Sequence, residues 1–290
     1  MTFQQISANR LSFRVAKAGS GNRLMLCLHG VPESAVSWRY QIVPLAQAGF
    51  QVWAPDLRGY GGTTRPIGID AYGIESLMDD VTGLLDAAQV QRAILVGHDW
   101  GGIIAWYYAM RHPDRVEALV IMNAPHPACF EREVRHWRQL HRSWYMGFFQ
   151  IPRLPEAALS AGHGYVIGAI FKRMAIHREQ MPADLVRLHR QQACEPGALS
   201  AMVNYYRAAL RGGGAIRQRR MGYPIVSVPT LVIWGLQDHA LARQNLEGLN
   251  DFVTDLMVVK IADAGHFVHE DKPEQVTREM LTWLKNHVST

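Results

Sequence analysis

The stretch Gly97-His98-Asp99-Trp100-Gly101-Gly102 sets a carboxylate among glycines, after the apolar run Ala93-Ile94-Leu95-Val96 and before a helix-like segment. This pattern reads as a sharp strand-to-helix turn that pushes its central side chain up into a cleft. The flanking residues are glycines because a side chain would clash in so tight a bend. A serine at the centre would attack carbonyl carbon. A carboxylate is a weaker nucleophile and does not usefully acylate itself. It can displace a leaving group from saturated carbon, forming an alkyl ester on the protein. The turn therefore predicts covalent hydrolysis of a carbon–oxygen or carbon–halogen bond.

Other candidate groups follow other apolar runs. His29-Gly30-Val31-Pro32 follows Leu24–Leu28, Gly235-Leu236-Gln237-Asp238 follows Thr230–Trp234, and Asp263-Ala264-Gly265-His266 comes soon after Leu256–Val259. In layered α/β domains the functional loops sit at the carboxyl ends of the strands. Asp99, Asp238 and His266 would then converge as nucleophile, acid and base. Asp263 competes with Asp238 as partner of His266, but lies too close in sequence to orient the ring from behind. His98, His126 and His269 are read as packing or surface residues with no catalytic role. Glu270 and Asp271 are expected to cap the final helix.

These groups need a scaffold. The short apolar runs, to which Leu119–Met122 is added, suit buried strands of a parallel sheet. Helical spacing from Ile74 to Ala88, a helix over Gly102–Met110 and Pro273 at the start of a last helix supply the alternation. The fold class expected is α/β, a mostly parallel sheet with helices on both faces. The segment Pro125–Pro224 lacks strand-like runs and is rich in Arg, Met, Trp and His. It reads as a helical cap (125–224) inserted into a core formed by 1–124 and 225–290. Arg217, Arg219 and Arg220, after three glycines, read as an exposed hinge or loop.

Bulk properties exclude other classes. The 290 residues are 48% hydrophobic and 19% charged, ordinary for a globular protein. The net charge of +5 is uneven, with fifteen Lys+Arg against six Asp+Glu between Pro125 and Pro224. The arginines there are dispersed among apolar residues, which favours a solvated basic face over a nucleic-acid site. That face leaves room for a homodimer contact. No apolar run approaches the ~20 residues of a membrane helix. The first residues lack a basic segment followed by an apolar one, so the expected location is cytoplasmic. Cys27, Cys129 and Cys194 are too scattered for a disulfide framework or metal cluster. The histidines show no zinc-ligand spacing. No metal or organic cofactor is expected.

The chain resembles the epoxide hydrolases of the α/β-hydrolase superfamily. The resemblance rests on His29-Gly30-Val31-Pro32, Gly97–Gly102, Trp234–Asp238 and Gly265-His266, and spans nearly the whole chain. It implies the α/β-hydrolase fold, the set Asp99, Asp238 and His266, and a lipophilic epoxide as substrate with water as co-substrate. Two cap tyrosines of the family match Tyr145 and Tyr206 as donors to the epoxide oxygen, with Tyr205 a rival for the second role. The resemblance also implies backbone donors at Val31 and Trp100 for an oxyanion, and a cis peptide at Val31-Pro32. The expected substrate contacts are His29, Pro32, Trp144, Phe148 and Phe149. Val31 stands where the family often has an aromatic residue, which would widen the slot near the nucleophile. Haloalkane dehalogenases share the same motifs. Their second halide donor is excluded at Val31 but left open by Trp137 and Trp144. A ligand-binding protein on this scaffold, without turnover, is the reading from another class.

Overall fold

In a computed structural model describing residues 1–288, eight strands form one sheet in the order β1-β2-β4-β3-β5-β6-β7-β8. They are β1 (Thr2–Ala8), β2 (Leu11–Ala18), β3 (Leu24–Leu28), β4 (Gln51–Pro55), β5 (Ala93–His98), β6 (Val116–Met122), β7 (Thr230–Gly235) and β8 (Leu256–Ile261). β1 and β2 form an antiparallel hairpin and β2 runs antiparallel to β4, while the remaining neighbours are parallel.

The apolar runs became strands because both their faces are covered. Along β3, Leu24, Leu26 and Leu28 enter one core cluster, whereas Met25 and Cys27 enter the other. This is the two-residue alternation of a pleated strand between two helical layers. On the first side lie α2 (Ile74–Ala87) and α3 (Trp100–Arg111), with Leu77, Val81 and Leu84 at helical spacing toward the sheet. On the other side lie α1 (Arg39–Gln47) and the C-terminal helix, through Ile42, Leu45, Val276, Met280 and Trp283.

Between β6 and β7 the described residues form helices and no strand. These are α4 (Pro127–Glu133), α5 (Trp137–Leu140), α6 (Trp144–Phe148), α7 (Leu154–Met174), α8 (Ala183–Ala193), α9 (Ala198–Arg211) and α10 (Gly214–Arg220). The arginines expected in a loop therefore lie in α10, which pairs them with acids, Arg217 with Glu75 and Arg219 with Glu131. After β8 come α11 (Val268–Asp271) and α12 (Pro273–His287). Glu270 and Asp271 do not cap α12, whose N-terminus receives no side-chain bond. Both are buried, and their carboxylates bond elsewhere.

The direction of winding reverses beside β3, since β4 lies on one side of it and β5 on the other. A crevice opens at such a switch point, beyond the carboxyl ends of the strands. The loop after β3 and the turn after β5 meet there.

Candidate active site

Asp99 occupies the turn between β5 and α3 with φ 48° and ψ −119°. That conformation is strained for a residue with a side chain, by about 1–3 kcal/mol. Packing enforces it. A Cβ on Gly101 would lie 2.1 Å from the Leu28 carbonyl oxygen, and one on Gly97 would lie 2.5 Å from that of Gly101. The bend leaves the Asp99 carboxylate at the positive end of α3. Its Oδ1 accepts from the Val31 N–H (2.9 Å), and its Oδ2 stands 3.5 Å from His266 Nε2. The Val31–Pro32 peptide is cis.

On the far side of the imidazole, His266 Nδ1 donates to Asp238 Oδ2 at 2.8 Å. Asp238 is fixed by every available acceptor site. Oδ1 takes the N–H groups of Ala240 and Leu241, and Oδ2 also takes the Asn123 amide at 2.7 Å. Asp263, the rival partner, instead pairs with Lys272 at 2.5 Å. Burial would raise the Asp238 pKa, but His266 and these donors outweigh it and hold the carboxyl below its usual range. Burial would likewise lower His266. Two neighbouring carboxylates, Asp238 and Asp99, outweigh it and raise the ring well above 6.5.

Above Asp99 lies a mostly apolar cavity of about 330 Å³, lined by Asp99, Trp100, Tyr145 and Tyr206, with Ile103, Phe130, Met146 and Leu241 in its walls. Tyr145 and Tyr206 meet edge to face at 5.7 Å, and Tyr206 meets Trp100 the same way at 5.2 Å. Burial, with the Asp99 charge nearby, raises the pKa of both tyrosines. Both remain proton donors across the neutral range. Tyr205 also borders the cavity, but its hydroxyl donates to the Arg58 carbonyl at 2.8 Å. Adjacent helical residues point about 100° apart, which separates the two roles.

This constellation sits on a sheet and helix order that a family model recognises across residues 23–273, the α/β-hydrolase fold. The chain is an α/β-hydrolase. This α/β-hydrolase is 35% identical to the AB hydrolase superfamily protein YfhM of Bacillus subtilis, covering 98% of each chain. It is 34% identical to epoxide hydrolase 4 of Homo sapiens, over 98% of this chain and 78% of the human one. Among solved structures, Bacillus megaterium epoxide hydrolase in complex with an inhibitor superposes with a TM-score of 0.89 at 30% identity, over 97% of this chain and 99% of that one.

The expected substrate contacts of this α/β-hydrolase lie elsewhere. His29 is buried, accepting from the Leu57 N–H through Nε2 and bonding the Gly30 carbonyl through Nδ1. Pro32 is buried beside a separate small cavity with Glu33 and Tyr60. Trp144 is 67% exposed and Trp137 76%, so neither indole closes the pocket. Phe148 packs against Trp144 and Phe149, and Phe149 packs behind Tyr206 at 4.9 Å. The cavity wall comes instead mainly from residues of α3, α4, α6, α9 and α10, with Tyr72, Ile74 and Leu241.

Two groups escaped the sequence reading. Asn123, at the end of β6, bonds Asp238 and both polar groups of the Gly235 backbone. It has φ 39°, a left-handed conformation that asparagine tolerates. A polar residue of that type at a strand end was the available signal. The second is a buried set behind the His266 ring. Glu33 Oε2 accepts from Gly30 N–H (2.7 Å) and from His98 Nδ1 (2.6 Å), its Oε1 lies 3.2 Å from His269, and His98 Nε2 lies 2.9 Å from the His266 carbonyl. Burial alone would raise Glu33, but the two histidines hold it well below its usual range. Glu33 and His98 bond each other and the backbone, whereas Glu33 Oε1 and both ring nitrogens of His269 have no hydrogen-bond partner among the described residues.

Among the described residues, no helix is long and apolar enough to cross a membrane.

Proposed function

We propose that the chain is an epoxide hydrolase that opens an epoxide to a vicinal diol through an ester on Asp99. The observation that carries this reading is the placement of Asp99 in one cavity with two tyrosine hydroxyls and within 3.5 Å of an imidazole backed by a second carboxylate. Asp99 Oδ1 already rests on the Val31 N–H, the donor suited to the future ester carbonyl. Oδ2 is then the attacking oxygen.

Attack of Oδ2 on a ring carbon breaks that carbon–oxygen bond. The freed oxygen takes a proton from Tyr145 or Tyr206, leaving a phenolate. Esterification removes one of the two negative charges that keep His266 protonated. The ring then yields its proton, which balances the phenolate, and becomes a base. It draws a proton from water while the new hydroxide adds to the ester carbonyl. The N–H groups of Val31 and Trp100 receive the oxyanion. Collapse breaks the bond to the alcohol oxygen, which takes the proton of the added hydroxyl, so the diol leaves and the Asp99 carboxylate returns, with Asp238 holding the imidazole in place throughout.

A bromoalkane would use the same nucleophile, but its halide needs N–H donors. The Trp100 indole offers one, while Trp137 and Trp144 face solvent. Two hydroxyls instead suit a leaving alkoxide.

The test is a single turnover of His266→Gln with styrene oxide, followed by peptide mass spectrometry. The expected product is a stable adduct on Asp99. Absence of an adduct with retained multiple turnover would reject the scheme. Halide release from a bromoalkane without diol from any epoxide would favour dehalogenation.

A further inference from the structure

Asp271 lies outside the catalytic set, yet the residue is only 2% exposed and both its carboxylate oxygens accept hydrogen bonds. Oδ2 accepts from the N–H of Gly265, the residue before His266, at 2.7 Å. Oδ1 accepts from the N–H groups of Ile176 and His177, each at 3.0 Å. These two residues belong to the crossover between α7 and α8, in the helical segment between β6 and β7 whose other helices line the cavity. One side chain therefore joins the loop that carries the base to the segment that covers the site.

Neighbouring contacts repeat the connection. A Cβ on Gly265 would lie 2.5 Å from the Met174 carbonyl oxygen, so the crossover passes directly against the loop. His177 Nε2 bonds the Asp263 carbonyl at 2.9 Å. Arg39 Nη2 joins the Gln180 carbonyl to Glu270 Oε2, each at 2.9 Å. Burial raises the Asp271 pKa, and the three N–H donors oppose that rise. Ionised, the carboxylate offers acceptors in two directions at once, which a neutral amide of the same shape does not.

We propose that Asp271 is a positioning residue for His266, fixing the imidazole against the Asp99 ester and making its placement depend on the docked crossover. This rests on the epoxide hydrolase reading and adds a residue to its second half. Asp99 and the two tyrosines open the ring without His266 acting as base. Loosening Asp271 therefore slows ester hydrolysis selectively. Displacement of a catalytic group by about 1 Å costs on the order of 10²-fold.

The test compares Asp271→Asn with the parent using styrene oxide. The amide keeps one acceptor oxygen and turns an NH2 group toward either Gly265 or the Ile176–His177 pair. Ester hydrolysis should slow by roughly 10–100-fold with ring opening unchanged. The Asp99 ester should accumulate, so that kcat and KM fall together. Simple loss of folded protein would lower apparent kcat with no change in KM and no trapped ester, and that outcome overturns the proposal. Wild-type kcat and KM also overturn it. Hydrogen exchange on the wild-type protein decides the matter if the variant does not fold. Protected amides at Gly265, Ile176 and His177 support the tie, and rapid exchange at all three removes it. His266→Gln serves as the control on the underlying reading. An adduct trapped there but not in Asp271→Asn rejects only the role of Asp271, whereas no adduct in either rejects the covalent scheme itself.

Discussion

The Nε2 atom of His266 stands 3.5 Å from Oδ2 of Asp99. With Asp238 on its other nitrogen, the ring lies between two carboxylates, and in the proposed scheme its charge state depends on whether Asp99 is free or esterified.

The raised His266 pKa predicts a pH-dependent stability. A histidine whose folded pKa exceeds its unfolded value stabilises the fold fully below about 6.5, and loses that contribution as pH rises through the folded value. Thermal unfolding of wild type and His266→Gln should therefore differ most in acid to neutral buffer and converge toward alkaline pH. Asp238 works in the opposite sense. Its lowered pKa gives a contribution present above 3.8 that fades as pH falls through the folded value. A wild-type advantage that grows with rising alkalinity would contradict the assignment.

In kinetics, the same ring should titrate lower in the ester than in the free protein. The acid limb of single-turnover ester hydrolysis should lie below the pH at which His266 titrates by NMR in the resting protein. Coincidence of the two would mean that the Asp99 charge has no hold on the base.

Tyr145→Phe or Tyr206→Phe should each slow ring opening, and the double variant should nearly abolish it. General-acid contributions are typically ~10²–10⁴-fold. Rapid-mixing measurement of ester formation reports this step directly. A double variant that opens epoxides at the wild-type rate would remove both tyrosines from the mechanism.

Tyr205→Phe is the contrasting change. It leaves the Arg58 carbonyl without its donor at 2.8 Å. Denaturant unfolding should show a loss of about 0.5–1.5 kcal/mol, with ring opening near the wild-type rate. A large kinetic defect with unchanged stability would exchange the roles of Tyr205 and Tyr206.

Asn123→Ala should act on Asp238. It removes the 2.7 Å amide bond and frees both polar groups of Gly235. A stability loss of about 1–3 kcal/mol is expected for buried groups left unpaired. Ester hydrolysis should slow more than ester formation, measured in the same rapid-mixing run.

The sequence exposed those parts of the fold that are apolar on both faces. β3, β5, β6 and β7 are buried along their lengths and stand out as continuous apolar runs. β1 and β2 escape that criterion. β1 is an exposed edge strand, and Gln4, Gln5 and Ser7 resemble loop residues until the hairpin pairs them. β4 is short and ends in Pro55, which suggests a turn. At the site, residues on strand ends and tight turns were legible because local geometry demands their types. The cavity wall was not. Which face of α6 or α9 turns inward is set by packing between helices, as the outward Trp144 beside the inward Tyr145 illustrates. Glu33, His98 and His269 are far apart in sequence, and only folding brings them into one buried cluster.

β6 and β7 are hydrogen-bonded neighbours, with Leu119 opposite Thr230. The intervening helices thus leave the sheet and return to it at a single seam. Variation in that excursion, in length or lining, places no demand on strand pairing. Selection could therefore reshape the cavity wall while Asp99 and His266 stay on an undisturbed frame. The exception is the crossover next to Gly265, where an altered admission segment would be felt by the chemistry.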